Sequence, residues 1–270
     1  MADNIILVAG KGGRAAFQNH LVRYLVSAEK NFSTALMAGD GEDGEAILDE
    51  WRNVWREGGC LKGPSEPKAY AFRVQPLRKH KDKPPLDFAF FEIKVEDLAA
   101  SPVEQAGAKP ALPAKLATLI GKPQFNFVLV LLCDRNEKTG QEAGFQDASL
   151  SSLVACLKSE CGEAFVSRCP VLLLACGAGE GGGDQGVEVF ASHALPATLS
   201  ALQDWQGRYT LGELDMGEFE ADDDGAVLLD APKFDDTGKV FRWIYFQFTR
   251  YPVVEPFLAR LWKSVRRSAS

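Results

Sequence analysis

No apolar run in the sequence approaches the roughly 18 residues that a membrane-spanning helix needs. The start, MADNIILVAG, has neither the basic n-region nor the long apolar stretch of a secretory signal. An integral membrane segment is excluded on that reading, and a cytoplasmic location is expected. Positive charge is in deficit: 30 Lys and Arg face 37 Asp and Glu, for a net charge of −7. General nucleic-acid binding needs a basic footprint, so it is not expected. Histidine is scarce, and His20, His80 and His193 stand apart with no nucleophile at a recognisable spacing. The cysteines at 60, 133, 156, 161, 169 and 176 show neither CxxC spacing nor a histidine partner, and read as reduced structural thiols. Asp222-Asp223-Asp224-Gly225 lacks the spaced acids and terminal glutamate of an EF-hand loop, so it reads as a solvated acidic loop. No metal site and no catalytic residue are expected.

The composition present is that of a globular protein, 46% hydrophobic and 25% charged over 270 residues, enough to bury a substantial core. No internal repeat or domain boundary stands out, so residues 1–270 read as one domain. Mobile loops are expected near 99–115, 177–186 and 220–238. NFVLVLL and PVLLLACG are uninterrupted apolar runs, the pattern of strands buried on both faces of a parallel sheet. They alternate with helical patterns, one over about Arg14–Ala28 and others in AILDEWRNVW and SLSSLVACLKSE. AYAFRVQPL and LDFAFFEI, joined by the polar RKHKDKPP, predict an antiparallel hairpin. The order predicts a three-layer α/β fold in which these runs neighbour Ile5–Val8 and AYAFRVQPL is an antiparallel edge strand. The last helix is expected to place Val254, Phe257, Leu258, Leu261, Trp262 and Val265 on one face and to pack on the sheet, its Arg260, Lys263, Arg266 and Arg267 lying opposite. Contact of that basic face with a membrane surface is the alternative.

The stretch IILVAGKGGRAAFQNHLVRYL carries the layout of a phosphate-binding loop, a strand entering a glycine turn that opens a helix. Gly10, Gly12 and Gly13 supply the compact turn, and Lys11 and Arg14 the positive charge. The pattern GxxxxGK[ST] nevertheless meets Ala15, Ala16 and Phe17 where Gly, Lys and Ser/Thr belong. Without the lysine, β/γ-phosphate charge goes largely uncompensated, and without the hydroxyl a magnesium ion loses a ligand.

ILDEWRNVWREGG followed by the hairpin and by LDFAFFEIKVEDL resembles bacterial Ras-like GTPases of the conflict-system double-GTPase kind. NFVLVLLCDRNEKTG and CPVLLLACG match the order of that family's later strands. The resemblance implies a Ras-like P-loop fold whose nucleotide motifs have degenerated. Glu92 stands at the vestigial switch, Val95 replaces the glycine whose N–H would meet a γ-phosphate, and Cys176-Gly177-Ala178-Gly179-Glu180 replaces the guanine-reading motif. GKGG also resembles the deviant loop of partition-type ATPases, with Lys11 as signature lysine and Asp40 at the strand end.

The function expected is that of a pseudo-GTPase: a non-catalytic, protein-binding or scaffolding subunit of a bacterial multi-protein system. Its partners are other protein subunits, and no cofactor is expected, GTP being the exception to test. The alternatives are a divergent nucleotide switch with slow or no hydrolysis, and a partition-type ATPase relative. Trp51, Arg52, Trp55 and Arg56 are the candidate partner-binding residues, since Trp and Arg most often anchor interfaces. The competing reading packs both tryptophans, four residues apart, on the core.

Overall fold

The computed structural model describes residues 3–10, 14–28, 31–37, 43–57, 70–77, 81–95, 112–135, 141–177, 186–203, 205, 209–221, 227–230 and 232–253. The elements in chain order are β1 (Asn4–Ala9), α1 (Arg14–Ser27), β2 (Phe32–Met37), α2 (Gly44–Arg56), β3 (Ala71–Pro76) and β4 (Leu86–Ile93). They continue as α3 (Ala114–Ile120), β5 (Asn126–Asp134), α4 (Gln141–Val166), β6 (Val171–Cys176), α5 (Val187–Ala194) and α6 (Pro196–Gln203). The rest are β7 (Tyr209–Leu214), β8 (Glu218–Ala221), β9 (Val227–Asp230) and α7 (Asp235–Thr249).

Alternation of side chains along a strand explains why the central runs are wholly apolar. In β5, Phe127, Leu129, Leu131 and Cys133 enter one buried layer, while Val128, Val130 and Leu132 enter the other. β1 and β6 divide in the same way. Helices α3, α4, α5 and α6 fill the first layer, and α1, α2 and α7 the second. The result is a three-layer α/β sandwich around a seven-stranded sheet of order β2-β3-β4-β1-β5-β6-β7. β1 pairs in parallel with β4 and β5, and β5–β6 and β6–β7 are also parallel. β3 alone runs against its neighbours β2 and β4. This is the Ras-like arrangement.

Several expectations are corrected. AYAFRVQPL is the antiparallel strand and pairs with LDFAFFEI, but it is not at the edge, because β2 pairs along its outer side. The edge strand is β2, over Phe32–Met37, which pairs with β3. The segment 220–238 is not one loop: β8 and β9 form an antiparallel ribbon, and α7 begins at Asp235. α3 begins at Ala114, at the end of the segment expected to be loop. α7 packs on the sheet, with Phe241, Ile244 and Tyr245 fully enclosed. Residues 254–270 themselves lie outside the described residues, as do His80, Asp40 and the acidic stretch 222–225.

Two glycines are set by close approach. A Cβ on Gly44 would lie 2.1 Å from the Leu36 carbonyl oxygen, where α2 leaves β2. Gly10, at φ +154°, would place one 2.6 Å from the Leu132 oxygen of β5. The first turn of α2 is capped by Asp43, whose carboxylate accepts from the Glu45 and Ala46 amides at 3.0 and 3.3 Å.

Candidate functional site

Ligands of open α/β sheets bind beyond the carboxyl ends of the strands. At that end β1 leads from Ala9 to Gly10 and on to α1, and Glu92 stands on the neighbouring strand opposite Val8. The fold therefore gathers Gly10, the start of α1 and Glu92. Arg14 is the first residue of α1, and Lys11, Gly12 and Gly13 lie outside the described residues.

The two positions where a phosphate loop needs lysine and hydroxyl face the other way. Ala16 is 1% exposed and Phe17 0%, both in the apolar layer shared with Ile6, Val8, Val130 and Leu132. The next residue, Gln18, donates to Glu92 Oε1 at 2.9 Å on the surface. The carboxylate that would orient a metal-bound water is thus bonded directly to α1. Val95 is also enclosed, 1% exposed in the layer beneath α3 and α4.

Further along the same edge, the Asp134 amide donates to Gln146 Oε1 at 2.8 Å, and the Arg135 amide to the Cys176 carbonyl at 2.9 Å. The Arg135 guanidinium pairs with Glu213 at 3.1 Å and lies 5.6 Å from the centre of the Phe190 ring. These contacts tie β5, β6, β7 and α5 together where a base-recognition loop would follow. Of the residues at the expected guanine motif, Cys176 ends β6 and Gly177 turns at φ +105°, while 178–180 lie outside the described residues.

Trp51, Arg52, Trp55 and Arg56 are not part of this gathering. α2 begins at the carboxyl edge beside Leu36 and runs back along the sheet for about 18 Å. Trp55 is 8% exposed, and Trp51 packs on Tyr70 and Phe72 with ring centres 5.5 and 6.3 Å away. The tryptophans therefore hold α2 to β3. Arg52 bonds Asp49 at 2.5 Å and Glu45 at 3.2 Å, and Arg56 bonds Asn53 at 2.9 Å on the exposed face.

Two polar groups carry structure that the sequence reading missed. His20 is fully buried, with Nε2 3.0 Å from the Lys233 carbonyl and 2.6 Å from Thr237 Oγ1, while Nδ1 has no partner. Burial lowers its pKa to about 4, and the Arg23 charge adds to this against the Lys233 carbonyl and Asp215. Asp147 accepts from the amides of Ala197 and Thr198 at 2.9 and 2.8 Å, capping α6 from fifty residues away. Pro196 at the start of α6, preceded by a leucine that cannot cap, was the available signal. His20 left no such local trace.

Chemistry is sparse among the described residues. No group of three or more His, Cys, Asp or Glu could hold a metal ion. Burial pushes the thiols up, Cys156 and Cys176 to about 12 and Cys161 to about 11, so none is a ready nucleophile. A cavity of about 230 Å³, lined by residues that include Leu112, Ile120, Glu160, Cys161 and Arg168, opens between α3 and the second half of α4. It lies away from the carboxyl edge. No described helix is long and apolar enough to cross a membrane.

The fold and this edge define a three-layer α/β protein of Ras-like topology. No protein-family model matches the chain, and the search of curated proteins finds no match. Among solved structures, it is similar to a chain of the signal recognition particle receptor SRb-GTP/SRX complex from Chaetomium thermophilum. The identity is 12% and the TM-score 0.37, over 80% of this chain and 90% of that one.

Proposed function

We propose that the protein is a pseudo-GTPase: a GTPase-fold subunit that performs no hydrolysis, holds no resident nucleotide or metal, and serves as a protein-binding or scaffolding component of a bacterial multi-protein system. The observation that carries this is the enclosure of Ala16 and Phe17. A phosphate loop works only if its lysine and hydroxyl reach the bound phosphates and magnesium, and here those positions belong to the core. The direct Gln18–Glu92 bond and the burial of Val95 act in the same direction. The partner surface we favour is the outer face of α2, where Asp49, Asn53 and Arg56 are exposed.

The test is phosphate release from GTP and ATP with magnesium, alongside titration of fluorescent nucleotide analogues. No turnover and no saturable binding are expected up to millimolar nucleotide. Magnesium-dependent turnover that disappears in Gly13→Val would overturn the proposal and favour a divergent switch.

A further inference from the structure

The two edges of an open sheet present backbone groups that no neighbouring strand uses, and this sheet finishes its edges differently. At β2, the Leu77 amide donates to the Asn31 carbonyl, so antiparallel alternation turns the backbone of Phe32, Thr34 and Leu36 outward. The chain itself closes both ends of that row. The Phe32 amide donates to the Ala28 carbonyl at 3.0 Å. Gly44 lies so close to the Leu36 carbonyl that a Cβ would meet its oxygen at 2.1 Å.

β7 is not finished in this way. The Gly177 amide donates to the Leu214 carbonyl, so Leu214, Gly212 and Thr210 bond inward to β6. A strand in parallel pairing gives every second residue to its neighbour. Tyr209, Leu211 and Glu213 therefore turn both N–H and C=O away from the sheet, and no described residue bonds to those groups. Thr210 and Glu213 are exposed, and Tyr209, Leu211 and Gly212 are half-buried. The strand, YTLGEL, also lacks the proline, lysine or bulge that commonly guards an edge. Its one charge, Glu213, is paired with Arg135 at 3.1 Å.

We propose that β7 is a dimerisation edge that pairs antiparallel with β7 of a second copy of this chain. The strand is complementary to itself about Leu211. With the two-fold axis there, Leu211 meets Leu211 and exchanges both backbone bonds with it. Tyr209 exchanges its bonds with Glu213 of the second copy, and the reverse, so the whole outward row is satisfied. On the other face Thr210 stands opposite Gly212, which has no side chain to obstruct it. Two chains of net charge −7 repel at long range, but Arg135 neutralises the one carboxylate in each pairing strand. A foreign strand would need a matching pattern of side chains, which a second copy supplies by symmetry. The inference rests on the sheet edge and not on the nucleotide reading.

The experiment is sedimentation velocity of the full chain from about 1 to 200 µM, a range that reveals weak interfaces, with amide hydrogen exchange at both extremes. A monomer–dimer equilibrium is expected, with the outward amides of 209–213 exchanging more slowly at high concentration. Leu211→Pro removes an N–H that the chain's own sheet does not use, and should weaken association about tenfold or more. Thr210→Lys keeps the test decisive should the proline disturb the packing of Leu211. It sets two ammonium groups about 7–8 Å apart across the axis, and should weaken association at an unchanged unfolding midpoint. A chain that stays monomeric throughout would overturn the proposal. So would a dimer that Thr210→Lys leaves intact, or one that protects no amide within 209–213.

Discussion

A phenylalanine with no exposed surface cannot become threonine without leaving a void, and a lysine placed beside it has no water to hold its charge. Introducing phosphate-loop residues by Ala16→Lys with Phe17→Thr should therefore destabilise the protein rather than activate it. The cavity term alone is about 3 kcal/mol or more, and the buried ammonium adds to it. A fall of about 10 °C in the unfolding midpoint is expected in calorimetry, and an unchanged midpoint would mean that these positions face solvent. His20 gives a pH dependence of definite sign. Nε2–H is committed to Lys233 and Thr237, and a proton added at Nδ1 meets no acceptor. The folded-state pKa of about 4 lies below the ordinary 6.5, so the unfolded chain binds the extra proton first. The stability contribution is complete above pH 6.5 and is lost as pH falls toward 4, amounting to about 3 kcal/mol. Denaturant unfolding at pH 7 and pH 4.5 should show this loss in the parent. It should largely vanish in His20→Gln, whose amide keeps a donor but does not titrate.

At the scale of elements, α2 shows how one helix divides its work. Its inner face is aromatic: Trp51 and Trp55 meet ring to ring at 6.2 Å, and Phe72 continues the contact to Phe88 and Phe90. Its outer face is charged, and Arg52 is already neutralised by Glu45 and Asp49. Reversing Arg52 would set three carboxylates against one another and confuse stability with recognition. Arg56 is the cleaner probe. Trp55→Ala should cost about 3 kcal/mol or more, while Arg56→Glu should leave the midpoint nearly unchanged and weaken recovery of a partner in pull-down. If Arg56→Glu retains full partner recovery, the interface lies off this helix. The opposite end of α2 is set by backbone contact, since any side chain at Gly44 would strike the Leu36 carbonyl.

At the scale of the molecule, much of the sandwich was legible in the sequence because each strand writes its burial into its own residues. NFVLVLL and PVLLLACG alternate between two apolar layers, so each reads as continuous hydrophobicity, and they are found side by side next to β1. The hairpin was legible because its strands are adjacent in the chain and joined by a polar turn. The site was legible only as an omission: the missing lysine and hydroxyl could be read from Ala16 and Phe17, but not the fact that these side chains enter the core. β2 as the edge strand, Asp147 as the cap of α6 and His20 under the 233–237 turn were not legible. Each depends on a partner between about 40 and 220 residues away, which no local spacing encodes. What the sequence by itself determined, then, was the central strands and longer helices and their two-sided burial, because backbone periodicity acts within a few residues. Only the tertiary structure decided that β3 lies inside the edge and that α1 turns Ala16 and Phe17 into the core. Those outcomes follow from how whole faces pack, and packing joins residues that the chain keeps apart.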